Sequence, residues 1–307
     1  MIDRQISDAT GALSQLAGEA RRDADVKAYR AVVADVLAEL AGAGRHVTVD
    51  SAGRLLTRRM REPAFAPVLS AVPGGHAAAI RGVLSEVGSY RRGARSPAVN
   101  LPTLIRIALL AQVDLLWWGH LPEYQTDADV FGATELLHLE PLRRDDMLLF
   151  DYRLQPMTLL GRAARSAERR AAPARSPRTA GLRFPCGRAE LVVVLNQIAA
   201  EFAAVAPRGT PRLWITSLTR SVAHQQHLRG LGYAALLPSA HCVGYAADLE
   251  MAWFRRFGAD QILRALLVER QNAGEINVIE EGQAWHVCVR PGTGRALHLI
   301  PEQIPRS

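Results

Sequence analysis

Between residues 24 and 43 the side chains Tyr29, Val32, Val33, Val36, Leu37 and Leu40 recur at intervals of three and four. That spacing predicts an amphipathic helix, closed by Gly42 and Gly44. Shorter helical patterns follow around 51–60, 63–71 and 76–90. Leu101 to Trp117 is apolar on nearly all sides, with Asn100 as N-cap and Pro102 in the first turn, and reads as a buried helix. Residues 131–155 carry no clear period. The first 156 residues are therefore expected to be mainly helical, with no chemical motif of their own. The Trp117–Trp118 pair is assigned to core packing in preference to a binding surface.

Over 161–183 the aliphatic residues nearly vanish and Arg, Ala, Ser and Pro take over. A linker over 157–182, extended by its own charge repulsion, is expected there. A second pattern then begins. Residues 188–206 form a helix ended by Pro207, Gly209 and Pro211, and Arg212–Ser217 is a short β-type run. Helices over 221–230 and 260–273 alternate with strands over 245–251, 276–281 and 284–290. The fold class expected is α+β, with a helical domain over 1–156 and a small domain over 183–307 built around an antiparallel sheet.

Composition changes this picture little. Of 307 residues, 49% are apolar and 22% charged, as in ordinary folded domains. The net charge of +7 comes almost wholly from arginine, since Lys27 is the lone lysine. Basicity of this kind permits a polyanionic partner without requiring one. The helical half shows no recognition helix and no interleaving of aromatic with basic residues, so nucleic acid is not the expected partner. Three irregularly spaced cysteines, Cys186, Cys242 and Cys288, speak against a disulfide framework. No signal-peptide core is visible, and Arg106 and Asp114 interrupt the most apolar stretch, so no membrane span is expected and a cytoplasmic location is.

Three clusters in the second half carry candidate chemistry. Thr216 to Ser221 ends a strand and opens a helix; Ser239 to Asp248 is a loop running into a strand; Trp285–His286 lies on the last strand. Two imidazoles and a carboxylate suffice to hold a catalytic zinc and leave a fourth position for water. Such an ion acidifies its water and polarises a carbonyl, which together hydrolyse an amide. Asp248 sits in an apolar strand, where an unpaired carboxylate is costly unless a cation neutralises it.

The pattern Ser239-x-His241-x-x-Gly244-x-Ala246-x-Asp248, preceded by Thr216-Ser217-x-x-Arg220-Ser221 and followed by Trp285–His286, resembles the zinc D-alanyl-D-alanine carboxypeptidases and dipeptidases. Their fold is shared with the Hedgehog signalling domain. The resemblance covers about 120 residues. It implies a Zn2+ cofactor on His241, Asp248 and His286, and Arg220 stabilising charge on the carbonyl oxygen. It also implies a pocket shaped by Ser239, with Trp285 beside the metal. The substrate implied is a short peptide, with D-amino acids as in peptidoglycan.

One position departs from the family. Its general base is a glutamate three residues before the last histidine, where this chain has Gln283, which cannot take a proton from water. Hairpin geometry offers a substitute. If Gly282–Gln283 forms the turn, Glu281 shares a face with His286, diagonal to it at roughly 7–8 Å. If Glu281–Gly282 forms the turn, Glu280 points away from His286 with Gln283. Glu281 is the favoured base, and a zinc-binding module without turnover is the alternative function. Cys288, on the face of His286, is either a thiolate ligand or a small buried hydrophobe, the second being preferred. His224 and His227, one helical turn apart, are read as ordinary surface.

Overall fold

The computed structural model describes residues 2–44, 47–90, 100–156 and 179–293, a few isolated positions between 156 and 179, and side chains from residue 17 onward. The predicted linker therefore lies largely outside the described residues. The helical half comprises α1 (Ile2–Gly42), α2 (Val49–Arg59), α3 (Ala66–Ala71), α4 (Gly75–Gly88) and α5 (Leu101–Trp118). A short α6 (Asp127–Gly132), strand β1 (Leu136–His138), α7 (Leu139–Arg144) and β2 (Asp151–Tyr152) follow. The rest is β3 (Cys186–Arg188), α8 (Ala189–Val205), β4 (Trp214–Ser217), α9 (Val222–Gly230), β5 (Ala246–Glu250), α10 (Asp260–Asn272), β6 (Ile276–Glu280) and β7 (Ala284–Val289). The fold is α+β, as expected.

The sequence patterns explain the packing. Of the predicted stripe on α1, Tyr29, Val33, Val36 and Leu40 are buried, joined by Val26, while Val32 and Leu37 are half-buried, and Tyr29 donates its hydroxyl hydrogen to the Leu109 carbonyl of α5 at 2.7 Å. Asn100 caps α5 by accepting from the Thr103 amide at 2.9 Å. Helix α5 is apolar all round because both its sides are covered. One meets the other helices, and the other meets the sheet through Ile279 of β6. Of the described residues, Leu101–Trp118 is the one helix long and apolar enough to cross a membrane, and 56% of it is buried inside the protein. Trp118 donates its indole hydrogen to the Val289 carbonyl at 2.7 Å and stacks on Tyr245 at 3.5 Å between ring centroids.

The main sheet has the order β2-β4-β5-β7-β6, antiparallel except for the parallel β2–β4 edge. Strand alternation gives it two faces. Ala247, Leu249, Ile276, Val278, Trp285, Val287 and Val289 point into a core with α8 and α10. Ala246, Cys288 and Ile279 point the other way, toward α5. The segment before residue 156 does not stay with the helical half. Strand β1 pairs with β3, β2 pairs with β4, and Leu139, Leu148 and Phe150 enter the core of the second half.

Candidate metal centre

Asp248 and His286 are direct partners across the β5–β7 ladder, on the face turned to α5. His241 reaches them from a single 3-10 turn, Ala240–Val243, which leads into β5. That turn is capped by Ser239, whose hydroxyl accepts from the His241 amide at 3.3 Å. It ends at Gly244, with φ of +82°, where a Cβ would stand 2.7 Å from Leu136 Cδ2. Only glycine meets both conditions. The Arg220 amide donates to the His241 carbonyl at 3.0 Å, joining the first two motif clusters through their backbones.

The ring nitrogens are fixed by acceptors that cannot donate. His241 Nδ1 lies 2.7 Å from the Leu218 carbonyl oxygen, so it carries the proton and Nε2 keeps a lone pair. His286 Nε2 lies 2.9 Å from Asp114 Oδ2, so it donates there and Nδ1 keeps a lone pair. Both lone pairs turn toward Asp248 Oδ1. His241 Nε2 stands 3.1 Å from that oxygen, His286 Nδ1 3.2 Å from it, and the two nitrogens 3.2 Å from each other. Three acceptors this close repel unless a cation lies among them. The edges fit a tetrahedral face, for which metal–ligand distances near 2.0–2.1 Å give edges of about 3.3 Å. This buried His-Asp-His group could bind a metal ion. Asp248 Oδ2 is taken by Arg220 Nη2 at 2.5 Å, which leaves Oδ1 as the single ligand oxygen.

The electrostatics agree with a cation site. Burial pushes the Asp248 carboxyl up, but His241 and Arg220 outweigh it and hold the group well below the usual carboxylate range. Burial lowers the His241 imidazole, against the pull of Asp248. Burial would also lower His286, yet Asp114 and Asp248 raise it well above its ordinary value.

All three groups open onto a cavity of about 950 Å³, which Arg220, Ser239, Glu281 and Gln283 also line. Ile279 pairs with His286, Glu280 with Trp285, and the Glu281 amide donates to the Ala284 carbonyl at 3.0 Å. Gly282–Gln283 is therefore the turn, with Gly282 at φ of +87°. This is the register that puts Glu281 on the face of His286. Burial and the neighbouring Asp248 carboxylate push the Glu281 carboxyl up to about 7, against His286 and Arg220.

Other predicted residues fall differently. Trp285 sits on the reverse face of β7 from His286 and packs in the core with Leu249, away from the cavity, because adjacent strand residues point oppositely. Arg220 lines the cavity, but its Nε donates to Ser217 Oγ at 2.8 Å and its Nη1 to Gln225 Oε1 at 3.1 Å, so it also braces Asp248. Cys288 is buried with Trp118, Tyr245 and Ala246, and burial and Asp114 hold its thiol well above the usual range. It packs as a buried hydrophobe and lies outside the His241–Asp248–His286 group. His224, read from the sequence as ordinary surface, is half-buried, lowered to about 4 by burial, packs edge-on against Phe184 and lines the same cavity, though it is not one of the three grouped ligands.

In the sequence Asp114 is legible only as one of two charges, with Arg106, in a mostly apolar helix, and nothing there points it at His286. Its partners Asn277 and Arg30 carried no signal at all. Comparison with protein-family models, curated proteins and solved structures finds no match. Fold and site together define an α+β protein with a buried His-Asp-His centre able to hold a metal.

Proposed function

We propose that this chain is a zinc-dependent peptidase-like protein that hydrolyses short peptides, with D-amino-acid-containing peptidoglycan peptides as the substrate class. The observation that carries the reading is the triangle of three converging lone pairs on His241, Asp248 and His286, open to a cavity. Two imidazoles and one carboxylate oxygen suit Zn2+, and three protein ligands leave a position for water or substrate. When bound, the ion supplies an acidified water and a polarised carbonyl.

The chain's own residues complete the chemistry. Glu281 lines the cavity on the face of His286, where its carboxylate would take a proton from water as general base. Arg220 holds Asp248 in place and lines the cavity, where its positive charge would stabilise a developing negative charge. The motif resemblance to the D-alanyl-D-alanine peptidases supports this substrate class.

Gln283 on the cavity wall favours a second reading, a zinc-binding module that has lost turnover. A screen of D-alanyl dipeptides and muropeptides on the zinc-loaded chain separates the two. Hydrolysis that Glu281→Gln abolishes supports the enzyme. Bound zinc with no hydrolysis of any member supports the module.

A further inference from the structure

We propose that the helical half is a working part of the metal centre, with Asp114 of α5 as the positioning residue for His286 and Asn277 and Arg30 as its supports. This rests on the metal reading above. Metal-ligating histidines are commonly held by a carboxylate on their other ring nitrogen, which fixes the tautomer and ring orientation and raises ligand basicity. Here that carboxylate does not come from the sheet that carries the ligands. It comes from a helix 172 positions earlier in the chain, with Asp114 Oδ2 2.9 Å from His286 Nε2.

Asp114 is itself tightly placed. Its side chain is 3% exposed, in a helix whose other buried positions are nearly all apolar. A buried carboxylate in such a place costs several kcal/mol unless fully paired. A leucine would satisfy the packing of α5 without that cost. The second oxygen, Oδ1, accepts from Asn277 Nδ2 at 2.8 Å. The same nitrogen donates to the Leu110 carbonyl, one turn earlier on α5, at 3.0 Å.

The amide of Asn277 can face only one way. Its oxygen accepts from Arg30 Nη2 of α1 at 3.0 Å, and its nitrogen faces two acceptors. A chain of hydrogen bonds thus runs from Arg30 through Asn277 to Asp114, which accepts from Asn277 on one oxygen and from His286 on the other. Each link fixes the orientation of the next, and the guanidinium balances the charge of Asp114. Elements α1, α5 and β6 have no other role in the ligand set, yet together they decide which nitrogen of His286 faces the metal. A purely structural Asp114 would affect folding and leave the ligand's tautomer and affinity unchanged.

The test uses the full chain and three variants, Asp114→Ala, Asp114→Asn and Asn277→Ala. Zn2+ affinity is measured by chelator competition, the visible spectrum of the Co2+-substituted protein reports ligand geometry, and long-range 1H–15N spectra report the His286 tautomer. Asp114→Ala is expected to weaken Zn2+ binding by roughly 10–100-fold and to mix the tautomers of His286. Asp114→Asn, which still accepts the imidazole hydrogen, is expected to recover part of the loss. Asn277→Ala is expected to show a smaller loss with the same sign. If Asp114→Ala does not fold, the other two variants carry the comparison. Wild-type affinity and a single unchanged tautomer in the folded variants would overturn this inference alone. No Zn2+ on the wild-type chain would overturn the metal reading and this inference together.

Discussion

His286 stands directly opposite Asp248 across the β5–β7 ladder, with Nδ1 3.2 Å from Oδ1. Because the two are register partners, the sheet itself sets their separation, and a loop needs to bring only His241. Two ligands on rigid strands and one on a capped turn make a centre that is largely preformed.

That preformed pair has a consequence for stability. Asp248 neutralises Arg220, whose side chain is 16% exposed. Removing one partner of a buried pair leaves the other charge uncompensated, at a cost of about 3–5 kcal/mol. Asp248→Ala is expected to destabilise the metal-free chain by that order in urea unfolding. Arg220→Met, in the Asp248→Ala background, is expected to restore part of it.

Gly244 makes a prediction about the His241 turn. At φ of +82°, with Leu136 Cδ2 2.7 Å from a Cβ, Gly244→Ala combines backbone strain with a clash. The strain alone is worth about 1–2 kcal/mol. A lowered Tm is expected together with weaker metal binding, because the turn that shifts is the one carrying His241. Thermal denaturation with and without Zn2+ measures both.

Glu281 gives the metal-free protein a pH dependence. Its folded-state pKa, about 7, is raised above the ordinary 4.5. Its contribution to stability is therefore fully present below about 4.5 and is lost as pH rises through about 7. Glu281→Gln is expected to flatten that fall in stability between pH 5 and 8, as read by denaturant midpoints in the presence of chelator.

The base assignment predicts opposite effects for two neighbours. Glu281→Gln is expected to lower kcat by about 10²-fold or more, the usual scale for a positioned base. Gln283→Glu, which places a second carboxylate on the cavity wall, is expected to preserve or raise it. Steady-state hydrolysis of the best substrate in the peptide screen decides. Equal activity in wild type and Glu281→Gln would remove Glu281 from the role.

Much of this architecture was legible because it rests on periodicity. The α1 stripe, the all-apolar α5 and the alternating β5 and β7 are local patterns, and they carry His286 and Asp248 to one face. The register of β6 against β7 is legible in the sequence as two alternatives, and the pairing of Ile279 with His286 and of Glu281 with Ala284 selects between them. The segment 131–155 was not legible. Its strands β1 and β2 are three and two residues long, too short for a period, and their partners lie some 50–60 residues downstream. The resemblance puts Trp285 beside the metal, whereas strand alternation sends it to the core. Asp114, Asn277 and Arg30 were hidden for a different reason. Each has an ordinary place in its own element and acquires meaning only where α1, α5 and β6 meet.

The central claim is that His241, Asp248 and His286 hold a metal, and zinc content tests it most directly. Elemental analysis of the purified chain beside His286→Ala, after both are loaded with Zn2+ and dialysed, is expected to give one zinc per wild-type chain and none in the variant. Wild-type chain without zinc, or equal zinc in both proteins, would contradict the account.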